Sequence, residues 1–114
     1  MTERRIQSRC LCAEMVKLNW QGGTADAVLE DISPFGGCVQ LEFAIPLGSP
    51  VTLSIGQSKY PGHVCYCVYR EIGYFVGLRF CDDKVWSPDE VVPQHLLNLE
   101  TLVRAAQAAK SVPD

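Results

Sequence analysis

Apolar residues recur at alternate positions through most of the chain, the period of a strand with one dry face. From Cys12 to Trp20, the apolar Cys12, Val16, Leu18 and Trp20 share one parity and Lys17 and Asn19 the other, with Glu14 as the exception. Gln21-Gly22-Gly23 then reads as a tight turn. Residues 24–32 form a second strand of ambiguous parity, because Val28 and Ile32 fall on one side and Ala27 and Leu29 on the other. Beyond a turn at 31–37, Val39, Leu41 and Phe43 alternate with Cys38, Gln40 and Glu42, which predicts a dry and a wet face. Pro46-Leu47-Gly48-Ser49-Pro50 marks a loop, and Val51, Leu53 and Ile55 alternate with Thr52 and Ser54 in a fourth strand before the turn Gly56-Gln57-Ser58. Val64, Tyr66 and Val68 define one face of a fifth strand, with His63, Cys65, Cys67 and Tyr69 opposite. Arg70-Glu71-Ile72-Gly73 leads to a sixth, where Tyr74, Val76, Leu78 and Phe80 face in and Phe75, Gly77 and Arg79 face out. Short strands separated by turn signals predict an antiparallel barrel or sandwich.

The two ends break this alternation. Residues 1–9 are polar, rich in arginine and without an apolar period, and read as a flexible arm. In the tail, Ser87-Pro88-Asp89-Glu90 carries a capping Ser, Pro at the first helical position and Glu three residues after the cap, a helix-start signature. Pro93 interrupts it, so one short turn and then a longer helix over residues 94–109 are expected. Leu96, Leu99, Val103 and Ala106, with Leu102 beside them, would form a stripe that packs on the barrel or offers a partner or dimer face. The predicted organisation is an arm at 1–9, a barrel at 10–86 and a helical segment at 87–114, an all-β fold with a C-terminal helix.

Composition narrows the function. The 114 residues, 47% of them hydrophobic, suffice for one domain with a single core. No run of about 18 apolar residues and no charged start followed by an apolar segment occurs, so a cytoplasmic protein without membrane insertion is expected. Lys plus Arg is 10 against 13 Asp plus Glu, a net charge of −3 that argues against a general nucleic-acid binder. The positive charge is concentrated, however. Arg4, Arg5 and Arg9 oppose only Glu3 in the arm, a net of +2 that leaves −5 on the rest. A compact anion suits such a site better than a long polymer.

The six cysteines lack the C-x-x-C spacing of metal and redox sites; Cys10 with Cys12 and Cys65 with Cys67 are alternate residues that share a strand face. They read as free thiols filling a core, with no metal and no disulfide. His63 and His95 stand apart from each other and from any carboxylate pair at a useful spacing, and no elbow serine, H-E-x-x-H or phosphate-binding glycine loop occurs, so no enzyme activity is expected. Trp20, Trp86 and the four tyrosines are assigned to strands and caps rather than to a base-stacking platform.

The remaining chemistry lies in Asp31-Ile32-Ser33-Pro34-Phe35-Gly36-Gly37 and in Arg4-Arg5-Ile6-Gln7-Ser8-Arg9. Ser33, Pro34 and Gly36 suit a type I turn, and the motif can be a hairpin connection and nothing more. The same turn would hold the Asp31 carboxylate and the Ser33 hydroxyl at the lip of a sheet, beside a Gly36-Gly37 pair that admits a ligand close to the backbone. Guanidiniums grip phosphate bidentately and stack on flat rings. A carboxylate and a hydroxyl for the edge of guanine, with arginines for its face and phosphate, make a nucleotide-binding inventory.

The two spaced motifs, Arg-x-x-x-Arg at Arg5 and Arg9 and Asp-x-Ser-x-x-Gly at Asp31, Ser33 and Gly36, resemble those of the PilZ domain, the bacterial receptor module for cyclic di-GMP. Both are complete, in order and on β-rich spacing, and the resemblance runs from about residue 4 to the C-terminal helix. It implies a six-stranded antiparallel β-barrel with the arm folding over a ligand. Arg5 and Arg9 would hold phosphate and contact guanine, Asp31 and Ser33 would read guanine edges, and Gly36 would keep the turn open. Arg4, a cation just before the motif, implies a mutually intercalated ligand dimer. The implied function is a cyclic di-GMP effector without a cofactor, a monomer or weak homodimer, that changes conformation and signals to an unidentified partner protein. The alternative is an interaction adaptor of the same fold without a nucleotide site. A single-stranded RNA binder fits the acidic body poorly.

Overall fold

The structure, a computed structural model, describes residues 9–98. Arg4, Arg5 and the predicted helix beyond residue 98 lie outside the described residues. Six strands carry the fold: β1 (Cys10–Trp20), β2 (Gly23–Ser33), β3 (Gly36–Leu41), β4 (Pro50–Ile55), β5 (Ser58–Arg70) and β6 (Gly73–Phe80). Each pairs antiparallel with its neighbours in the order β1-β2-β3-β6-β5-β4, and β4 returns to β1, which closes a six-stranded barrel. A two-residue β7 (Leu97–Asn98) adds to the start of β1 at Cys10 and Leu11.

Local chemistry explains the turns. Gln21 and Gly22 both have positive φ (52° and 78°), as the tight β1–β2 hairpin requires for its twist to match the strands. Gly56, φ 58°, opens the β4–β5 turn in the same left-handed region. Inside, the alternation is realised: Cys12, Val16 and Leu18 of β1, Val51, Leu53 and Ile55 of β4, and Val76, Leu78 and Phe80 of β6 are all buried. Each fully buried aliphatic such as Leu53 or Ile55 contributes roughly 1.5–3 kcal/mol relative to exposure.

Two bulges decide which faces the simple period misassigns. Between β2 and β3 the register passes from Leu29↔Val39 to Asp31↔Cys38, so Glu30 is an extra residue and Ala27, Leu29 and Ile32 all point inward. That resolves the ambiguous parity of β2. Between β5 and β6 it passes from Val64↔Leu78 to Tyr66↔Gly77, with Cys65 extra. Val64 is buried, but Tyr66 and Val68 are 42% and 43% exposed, and Cys67 packs on the core instead, which corrects the predicted facing of β5. Phe43 also departs from expectation: it lies past the end of β3, 40% exposed, stacked on Trp20 with ring centroids 5.9 Å apart.

The chain beyond β6 packs against the barrel. Trp86 is buried; its backbone amide donates to Pro34 O at 2.9 Å and its indole N–H to Val91 O at 2.9 Å. The short turn at Ser87 forms, with Asp89 N donating to Ser87 Oγ at 3.0 Å. Residues 94–98 are not the start of a helix. Ala13 N donates to Gln94 O at 3.1 Å and Gln94 N to Glu14 Oε1 at 2.7 Å, so this segment satisfies its backbone groups on β1 and leads into β7. Glu14 breaks the alternation of β1 because it receives this strap. No helix among the described residues is long and apolar enough to cross a membrane.

Glu90 does not reach back to cap Ser87; its carboxylate accepts from Tyr60 Oη at 2.9 Å and from Lys84 Nζ at 3.1 Å. Lys84 first, and the Tyr60 hydroxyl second, hold the Glu90 carboxyl below its ordinary value. A lowered carboxyl stabilises the fold above its unfolded value and loses that contribution as pH falls through the folded one. Glu90→Gln, which keeps the Tyr60 hydrogen bond, is therefore expected to be less stable than the parent at pH 7 and to converge with it on acidification through the carboxylate range. Denaturant unfolding at both pH values checks this; a gap that persists in acid would rule out the charge as its source.

Candidate ligand-binding groove

Strand register assembles the site. Asp31 of β2 pairs with Cys38 of β3, Cys38 with Gly77 of β6, and Gly77 with Tyr66 of β5, a row of outward positions across four strands. Two residues along, Ser33, Gly36, Arg79 and His63 form a parallel row. The intervening row contains Ile32, Leu78 and Val64, all buried, as strand alternation demands. Gly36 adds no side chain to its outward row and lines a groove of about 260 Å³ on the outer face. Arg9, Asp31, Ser33, Phe35, Tyr66 and Arg79 are among its lining residues.

Arg9 Nη2 donates to Asp31 Oδ2 at 2.6 Å. The guanidinium is 57% exposed and the carboxylate only 14%, so a solvated cation rests on a largely sheltered anion. The hydrogen bond from Arg9 to Asp31 raises the Arg9 pKa further, which keeps the cation permanent. With the guanidinium this exposed, the pair is worth about 0–1 kcal/mol.

The β2–β3 turn is held from several sides. Ser33 Oγ donates to Gly36 O at 3.2 Å and is buried, Phe80 N donates to Phe35 O at 2.8 Å, and Trp86 N to Pro34 O. All three carbonyls of the Pro34-Phe35-Gly36 run are therefore engaged. Packing also demands these glycines. A Cβ on Gly36 would lie 2.2 Å from Leu78 O and one on Gly37 2.8 Å from Asp31 O. Gly36 thus marks where β3 presses on β6.

Tyr66 is the residue that sequence reasoning missed. Its ring covers Gly77, where a Cβ would lie 2.0 Å from the nearest ring carbon. One signal was available: a glycine inside a strand often marks close approach by a neighbour. Beside it, Cys38 points outward from β3 yet is buried outside the main core, so burial raises its thiol pKa. Burial likewise raises the Tyr66 phenol. Cys10 and Cys12 fill the core as expected, and burial pushes Cys12 up to about 12. Cys65 and Cys81 are exposed, so core filling does not account for all six free thiols. Among the described residues no cluster of His, Cys, Asp and Glu could hold a metal ion.

Two residues of the expected site, Arg4 and Arg5, lie outside the described residues. Those that are described, Arg9, Asp31, Ser33, Gly36 and Gly37, all line the one groove. No curated protein matches this chain. The family model for the PilZ domain matches residues 3–85, a span that takes in both motifs and the whole closed barrel, and the chain belongs to the PilZ domain family, known for binding cyclic di-GMP.

Proposed function

We propose that this protein binds cyclic di-GMP in the groove between Arg9 and Tyr66 and passes its occupancy to a partner protein. The observation that carries the reading is the meeting of Arg9 and Asp31, from two separate motifs and 22 residues apart, at 2.6 Å beside Ser33 in one groove. The Asp31 carboxylate accepts hydrogen bonds from the guanine edge, and Ser33 Oγ, which spends its proton on Gly36 O, has lone pairs left to accept another. Arg9 takes a phosphate or stacks on a base, with Arg5 as its companion from the same motif. Tyr66 presents a ring face to a base, a contact worth roughly 1–3 kcal/mol. Arg4 adds the cation that favours a pair of intercalated ligands.

The output follows from connectivity. Arg9 runs directly into Cys10 and Leu11, which pair with Ile32 and Asp31 on one side and with Asn98 and Leu97 on the other. A ligand that draws on Arg9 therefore acts on a strand bonded to both the recognition turn and the C-terminal strap, and changes the surface offered to a partner.

Isothermal titration with cyclic di-GMP, GTP and cyclic GMP tests the reading. Binding of cyclic di-GMP alone is expected, with two ligands per chain if Arg4 acts as stated; a ratio of one removes that role for Arg4. Absence of cyclic di-GMP binding leaves the adaptor reading in its place.

A further inference from the structure

A cyclic dinucleotide carries two phosphodiesters on one closed ring, and Arg9, at one rim of the groove, meets only one of them. The opposite rim carries Arg79. It stands in the same register row as Ser33, one strand beyond Gly36, so the bare glycine leaves the space between them unobstructed by a side chain. Its neighbours Leu78 and Phe80 are buried while Arg79 is exposed, which places its side chain on the outer face of β6. The row Ser33, Gly36, Arg79, His63 contains no carboxylate.

The other described cations have occupations. Arg9 and Lys17 pair with Asp31 and Asp26, Lys84 with Glu90, Lys59 donates to Ser54, and Arg70 lies over the Phe75 ring at 5.3 Å. Among the described residues Arg79 forms no ion pair and no side-chain hydrogen bond. A permanently charged fork held at the rim of a groove, with no anion of its own there, is suited to an anion from outside.

We infer that Arg79 is a second phosphate-binding residue of the groove, opposite Arg9, which makes the site select a compact ligand with two anionic groups. The inference rests on the cyclic di-GMP reading and deepens it, because Arg79 belongs to neither motif.

The test is titration of cyclic di-GMP into the parent protein, Arg79→Ala and Arg79→Lys across a series of salt concentrations, with the melting temperature of each unliganded protein. Arg79→Ala is expected to weaken binding about tenfold or more, as loss of a charge-assisted contact does. The slope of log affinity against log salt should flatten by about one, and Arg79→Lys should recover part of the affinity by restoring the charge without the fork. Unchanged affinity in Arg79→Ala overturns this inference and leaves the ligand intact. A loss that comes with an unchanged salt slope, or with a matching fall in melting temperature, makes Arg79 a structural residue and overturns it as well. A parent protein that fails to bind overturns both readings.

Discussion

Gly36→Ala is expected to lower the melting temperature by roughly 10–20 °C, whereas Gly77→Ala costs far less stability and removes ligand affinity instead. Both substitutions add one methyl to an outward row of the sheet, and both meet a neighbour at impossible range, 2.2 Å and 2.0 Å. What they meet differs. The Gly36 methyl strikes Leu78 O, with Leu78 C and Arg79 Cα at 3.3 and 3.4 Å behind it, all backbone of β6. Backbone atoms in a closed barrel cannot rotate aside, so β3 and β6 must part along the six-pair ladder from Gly36↔Arg79 to Leu41↔Tyr74. Overpacking of this kind costs about 2–3 kcal/mol, and a domain of this size loses about 4–8 °C per kcal/mol. The nearest atoms to the Gly77 methyl all belong to the Tyr66 ring, and Tyr66 is 42% exposed and can swing outward. That relaxation costs about 1 kcal/mol and takes the ring from the base it would stack upon. Thermal melts and titration on the two variants separate the effects; a Gly36→Ala protein that melts within a few degrees of the parent would show that β3 does not press on β6 as described.

The same contrast marks how far the sequence is legible. The inward residues of β4 and β6 follow from strict alternation, because β4 pairs with both its neighbours and β6 with β3 without irregularity, and those of β1 keep one parity in spite of the irregularity between Leu11 and Glu14. The motif residues Arg9, Asp31 and Ser33 are legible as well, since a carboxylate, a hydroxyl and a guanidinium announce their chemistry locally. Tyr66 and Cys38 are not. A bulge is a property of two strands, so the extra residue Cys65 leaves no trace in the period of β5 alone, and Tyr66 reads as core when it is groove wall. Cys38 reads as wet, yet it is buried, because its cover comes from outside its own strand. The strap at residues 94–98 fails for a related reason. Its helical period is real, but its first backbone groups are captured by Ala13 and Glu14, 80 residues away in the case of Gln94 and Glu14, and long-range hydrogen bonds override a local preference.

Arg9→Ala and Asp31→Ala are expected to lower cyclic di-GMP affinity alike, by about one to two orders of magnitude each, while acting unequally on the unliganded fold. The asymmetry comes from burial. Removing Asp31 leaves a guanidinium that is more than half exposed and already hydrated, so stability should hardly change. Removing Arg9 strands a carboxylate that is only 14% exposed, next to Glu30, whose own carboxyl is raised first by burial and then by Asp31. That leaves two acidic groups without the one cation among the described residues that is paired with either, at a cost of about 1 kcal/mol. The free protein's pair also sets what a ligand must overcome. Worth under about 1 kcal/mol at this exposure, it opens readily, yet it holds both groups at the groove, where on the proposed reading guanine and phosphate would replace it. Titration and denaturant unfolding on the two variants and on the double variant check this. Wild-type affinity in Asp31→Ala would remove the guanine site from this groove, and equal destabilisation by both single changes would mean that the pair is a structural bridge rather than a latch.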